Sequence, residues 1–114
     1  MEITVHNHIV QIVVVTSDAR IDALSAPKLR ERLDALVAEG ANRFVIDLSA
    51  VPFIDSAGLA VLVSLLKKVR ITEGEVILVW PSEEAIRNTL QLARLDRVFP
   101  MADDVESALI ASTR

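Results

Sequence analysis

An α/β fold, a mixed sheet of about four to five strands with about four helices, is what this sequence predicts. Two observations carry the prediction. Short runs rich in Val, Ile and Leu alternate with segments of helical periodicity along most of the chain, and the first two such runs adjoin with only Asn7 and His8 between them. The composition agrees: the chain is 52% hydrophobic yet holds one Trp, three Phe and no Tyr, so its core must be aliphatic, which suits a sheet covered by helices.

The adjoining runs, Ile3 to His6 and Ile9 to Val15, read as an antiparallel hairpin with Asn7 suited to its turn. Ser25 is a candidate helix N-cap, and Pro27 falls in the first turn, where a missing N–H matters least. Leu29, Leu33, Leu36 and Val37 then recur at helical spacing, and Gly40 stands where the helix should stop. Phe44 to Leu48 is a short strand interrupted by Asp47, a polar residue best suited to satisfying nearby backbone or facing solvent. A loop through Pro52 leads to Asp55, from which a second helix should run to about Arg70. Glu75 to Trp80 is the next strand, with Trp80 half-buried at its end, and Pro81-Ser82 should cap a helix carrying Ile86 and Leu90. Val98-Phe99 is a candidate final strand, and Asp103 with Glu106 marks the start of a last helix. The alternation predicts right-handed crossovers and a largely parallel sheet beyond the hairpin, its helices covering mainly one face. No repeat, linker or low-complexity stretch divides the chain, so residues 1–114 are expected to form one domain.

Charge and residue usage exclude several functions. Twelve Lys and Arg against 16 Asp and Glu leave a formal charge of −4, with no local basic cluster, which disfavours a nucleic-acid partner. Without cysteine there is neither a disulfide framework nor a thiolate metal site. The longest apolar run, Ala57 to Leu66, falls well short of the ~20 residues a membrane span needs. With no signal-like N-terminus either, a cytoplasmic location is expected. His6 and His8 would share one face of a strand, but no third ligand is signalled, so no metal and no other cofactor is expected.

The chemistry concentrates in Ile54-Asp55-Ser56-Ala57-Gly58-Leu59. A chain entering a helix here leaves the first backbone N–H groups without intrahelical acceptors, and Asp55 or Ser56 can serve as their cap. Ala57 and Gly58 are small enough to let another surface approach, and Gly58 is otherwise unfavourable in a helix by about 1 kcal/mol. Two readings of Ser56 stand side by side. It is a cap and nothing more, or it is a phosphoacceptor at a helix start that tolerates the added charge. Along the helix Leu59, Leu62, Val63, Leu66 and Val69 form the stripe expected to face the sheet. Val61 and Leu65 fall off that stripe and are candidates for a partner surface. A catalytic role for Ser56 lacks support: the only two His lie in the N-terminal hairpin, and there is no Gly-x-Ser-x-Gly elbow.

The run Val-Ile-Asp-Leu-Ser-Ala-Val-Pro-Phe-Ile-Asp-Ser-Ala-Gly-Leu (Val45 to Leu59) resembles the signature of STAS domains, in particular bacterial anti-sigma-factor antagonists. Ala19-Arg20-Ile21-Asp22 with Ser25-Ala26-Pro27-Lys28-Leu29 is similar to the segment opening the family's first helix, and Leu95-Asp96-Arg97-Val98-Phe99 resembles its closing strand. The resemblance implies a STAS-like fold and a partner switch. In it the unphosphorylated protein binds an anti-sigma factor that is a serine kinase and so frees the sigma factor. Phosphorylation turns binding off, and a serine phosphatase restores it. Carried over, Ser56 is the phosphoacceptor, Asp55 its neighbour, and Asp22 lies in the loop beside the site. The implied partner surface comprises Asp22, Asp55, Ala57 and Gly58, joined by Val61 and Leu65 from the helix pattern. Two departures stand out: Ala57 replaces a second hydroxyl residue that many members carry, and Ala19 stands where a turn Gly is common. The competing expectation is a STAS module that binds a scaffold or transporter partner constitutively. The edge strands leave room for weak self-association of an otherwise monomeric chain.

Overall fold

The computed structural model describes residues 1–7 and 11–113. The elements are β1 (Glu2–Asn7), β2 (Gln11–Thr16), α1 (Ala26–Ala38), β3 (Arg43–Asp47), α2 (Ser56–Ile71), β4 (Glu75–Val79), α3 (Glu84–Leu92), β5 (Met101–Ala102) and α4 (Val105–Ser112), with a 3₁₀ turn over Leu95–Arg97. Five strands form one sheet in the order β1-β2-β3-β4-β5. The β1 pairing with β2 is antiparallel, and every later pairing is parallel. The mixed sheet with four helices predicted from the sequence is the observed fold.

Strand periodicity sorts the aliphatic residues onto two faces. Val13, Val15, Phe44, Ile46, Val76 and Leu78 point into the larger core, shared with α1, α2 and α3. Ile12, Val14, Val45, Ile77 and Val79 point the other way, onto α4 through Ala108. The three inner strands are therefore buried on both faces, which is why they read as continuous apolar runs. Three helices on one face and the short α4 on the other match the expectation that one face is covered more heavily.

Several boundaries differ from the sequence expectation. Asn7 lies within β1, paired with Gln11, rather than in a turn, and the expected strand start at Ile9 lies outside the described residues. Val98-Phe99 is not a strand; the last strand is Met101–Ala102, while Phe99 is buried as a core plug. Helix α3 starts at Glu84, two residues beyond the expected Pro81-Ser82 cap, because the Ser82 N–H is taken by the Ser49 carbonyl at 3.3 Å. Asp104, not Asp103, caps α4: its side chain accepts the Ser107 N–H at 2.7 Å. Gly40 ends α1 as expected, with φ of +101°, a conformation only glycine adopts without strain.

Candidate functional site

Two loop segments meet where the carboxyl ends of β2 and β3 deliver the chain. Ile21 and Ile54 form an isolated parallel pairing, secured by Ile21 N–H to the Phe53 carbonyl at 2.9 Å and Asp55 N–H to the Ile21 carbonyl at 3.2 Å. Both isoleucines are buried, so the period-2 geometry turns their neighbours outward. On one side of the pair Arg20 lies over the Phe53 ring at 4.3 Å. On the other, Asp22 and Asp55 come into register.

Each carboxylate is fully employed. Asp55 caps α2 through Oδ1, which accepts the Gly58 N–H at 3.0 Å, while its Oδ2 accepts the Ala23 N–H at 3.1 Å. Asp22 Oδ1 accepts the N–H groups of Leu24 and Ser25, each at 3.1 Å, and Oδ2 accepts Arg20 Nε at 3.3 Å. Ser25 reaches back in return, its Oγ accepting the Asp22 N–H at 3.0 Å and donating to the Arg20 carbonyl at 2.8 Å. Ser25 stands at the N-cap position of α1 as expected, but its side chain makes no cap bond to the helix; instead Asp22 and Ser25 form a reciprocal capping box ahead of it. The Ser25 N–H bond is the main reason the Asp22 carboxyl lies below the usual carboxylate range, with Leu24 and Arg20 pulling the same way.

Ser56 is the first residue of α2 and is exposed. Among the described residues its hydroxyl has no hydrogen-bond partner, and the Asp55 carboxylate beside it is held by backbone donors rather than poised as a base. Ala57 is half-buried beside it.

Three expected partner residues do not belong to the surface. Val61 and Leu65 are each only 2% exposed and sit in the main core. The buried arc of α2 runs through Gly58, Val61, Leu62, Leu65, Leu66 and Val69, rotated from the expected stripe, because α2 packs against α1 as well as the sheet. Leu59 and Val63, expected in that stripe, are half-buried at its margin and still pack against the core. The close approach that Gly58 permits is internal: a Cβ there would lie 2.5 Å from the Ile21 carbonyl oxygen and 2.7 Å from Ile54 Cγ1. Gly58 serves the junction of the two loops, not an incoming surface.

The structure adds residues that periodicity missed. Leu24 is 93% exposed beside Ala23, and Phe53 is 39% exposed under Arg20. Leu24 follows Ala23, whose N–H the Asp55 carboxylate holds, and Phe53 precedes Ile54 of the paired segment, so each flanks the junction of the two loops. Alternation around Ile54 was the signal that could have turned Phe53 outward; nothing local marked Leu24. Ala19 has no left-handed backbone angle, so the turn glycine expected there from the resemblance is not needed. Asp47 Oδ1 accepts the Ser49 N–H at 3.0 Å, the structural role expected of it, and Trp80 is half-buried under Arg87 at 5.1 Å. His8 lies outside the described residues, and among the described residues no three acidic or histidine side chains group into a metal site. No helix of the described residues is long and apolar enough to cross a membrane.

Comparison with known proteins identifies the family. The STAS domain family model matches residues 1–108. The chain is 31% identical over 98 residues to the anti-sigma-F factor antagonist RsfB of Mycobacterium tuberculosis, covering 86% of this chain and 79% of that protein. It is 36% identical over 86 residues to the anti-sigma-B factor antagonist of Listeria monocytogenes, covering 75% of this chain and 69% of that protein. The crystal structure of an anti-sigma factor antagonist from Mycobacterium paratuberculosis superimposes with a TM-score of 0.80 at 33% identity, over 99% of this chain and 94% of that one.

Proposed function

This chain belongs to the STAS domain family, among the anti-sigma factor antagonists, and we propose that it works as a phosphorylation-controlled partner switch centred on Ser56. It acts by binding rather than by catalysis. Unphosphorylated, it captures an anti-sigma factor that is a serine kinase and so releases a sigma factor; phosphate on Ser56 ends the capture, and a serine phosphatase resets the chain.

The observation that carries this reading is an exposed, unbonded Ser56 hydroxyl at the head of α2, set beside two carboxylates whose positions are locked. The helix start tolerates an anion through its unpaired N–H groups. A docked partner would not: phosphate adds about −1.5 to −2 charges next to Asp55 and Asp22. Loss of about 1.4 kcal/mol of binding is already a tenfold change, and an anion forced into an interface costs more than that. The missing hydroxyl at Ala57 leaves Ser56 as the one acceptor at the helix head.

The test is to incubate the chain with candidate anti-sigma serine kinases and ATP, map phosphate by mass spectrometry, and measure kinase binding of wild type, Ser56→Ala and Ser56→Asp. Phosphate on Ser56, with Ser56→Ala binding tightly and Ser56→Asp at least tenfold more weakly, is the expected result. Equal binding by all three forms without phosphate incorporation would replace the switch by a constitutive binding module.

A further inference from the structure

A cavity of about 330 Å³ opens beneath the 17–25 loop, between α1 and the carboxyl ends of β2 and β3. Ser56 does not line it, although Arg20, Leu24 and Ser25 of the adjoining loop do. Its inner wall is apolar: Val15 and Ile46, side by side in register on β2 and β3, with Leu33 of α1 and Leu62 of α2. Its mouth is cationic. Arg20, Lys28 and Arg32 line it against a single carboxylate, Asp47, whose Oδ1 already accepts the Ser49 N–H. Lys28 and Arg32 stand one helical turn apart on α1, both exposed, and among the described residues neither makes a hydrogen bond or an ion pair.

These features select a ligand class. The space lies where open α/β sheets leave room for ligands, outside the carboxyl ends of parallel strands, and its size is at the small end of the ~300–1,000 Å³ typical of small-molecule sites. A hydrocarbon alone would leave two uncommitted cations unused, and a polyanion would set its charges against an aliphatic wall. We infer that this cavity binds a small amphipathic monoanion, an alkyl carboxylate, with its tail against Val15, Leu33, Ile46 and Leu62 and its carboxylate held at the mouth by Lys28 and Arg32.

Octanoate is the probe, with octanol and octylammonium as neutral and cationic counterparts of the same tail. Titrated into the ¹⁵N-labelled full chain, octanoate should produce saturable amide shifts at Val15, Leu33 and Ile46, octanol should bind about tenfold more weakly, and octylammonium should give no saturable shift. The Lys28→Gln/Arg32→Gln double variant alters only exposed side chains, so its thermal midpoint should match wild type. It should bind octanoate about tenfold more weakly, two exposed ion pairs' worth, and octanol unchanged. The inference is overturned if octanoate gives no saturable shift, if octylammonium binds as well as octanoate, or if the folded double variant keeps wild-type affinity for octanoate.

Discussion

The Oδ2 atom of Asp55 accepts the backbone N–H of Ala23 at 3.1 Å, across 32 positions of sequence. One side chain therefore caps α2 and fastens the loop that precedes α1. Replacing it removes both bonds. Asp55→Ala should lower stability by about 1–2 kcal/mol in urea unfolding, within the range of lost helix caps. In hydrogen exchange the amides of Ala23 and Gly58 should lose protection together, a joint effect that a cap acting on α2 alone would not produce.

Gly58 inverts the usual rule for helices. Glycine to alanine in a helix ordinarily stabilises by up to about 1 kcal/mol, but a Cβ here meets the Ile21 carbonyl oxygen at 2.5 Å. Backbone cannot yield as a flexible side chain can. Gly58→Ala should therefore destabilise by about 1–3 kcal/mol, and a thermal midpoint at or above wild type would contradict the geometry.

Core and surface separate cleanly in the two leucines Leu65 and Leu24. Leu65 is 2% exposed and Leu24 is 93% exposed. Leu65→Ala should cost about 2–5 kcal/mol of stability, whereas Leu24→Ala should change stability by no more than about 0.5 kcal/mol. Binding should show the opposite order: a folded Leu24→Ala chain is expected to lose affinity for the anti-sigma factor, read by calorimetry against wild type.

Acid should weaken the fold through the capping carboxylates. The Asp22 and Asp104 carboxyls are both held below the ordinary aspartate range, chiefly by the N–H groups of Ser25 and Ser107 respectively. A carboxyl whose folded value is depressed leaves the native state with fewer protons than the unfolded chain, so stability rises with pH across that interval. Their contribution is fully present above the unfolded value and is lost as pH falls through the folded one. Urea midpoints measured between pH 6 and pH 2.5 should fall in that acid range for wild type, and fall less for the Asp22→Asn/Asp104→Asn variant.

Much of this molecule was legible one element at a time. The β-branched runs, the helical spacing of Leu29 and Leu33, the stop at Gly40 and the cap at Asp55 are local signals, set by backbone preference and by which N–H groups lack acceptors. The placement of Ser56 was legible for the same reason, since a serine following a capping aspartate at a helix head is a contiguous pattern. The errors arose where a neighbour distant in sequence made the decision. Ser82 gave its N–H to Ser49, so α3 started later, and the final strand paired at Met101 rather than at Val98.

The sequence by itself determined the strand and helix order, the apolar character of the inner strands and the position of Ser56 near the start of α2, because each depends on residues close together in the chain. Tertiary structure alone decided that Val61 and Leu65 are buried, that Gly58 is reserved for Ile21, and that Leu24 and Phe53 are left exposed. The physical reason is the docking of α1 and its leading loop against α2. That contact widens the buried arc of α2 beyond what the sheet alone would cover, and a helical stripe cannot report a neighbour more than 30 residues away.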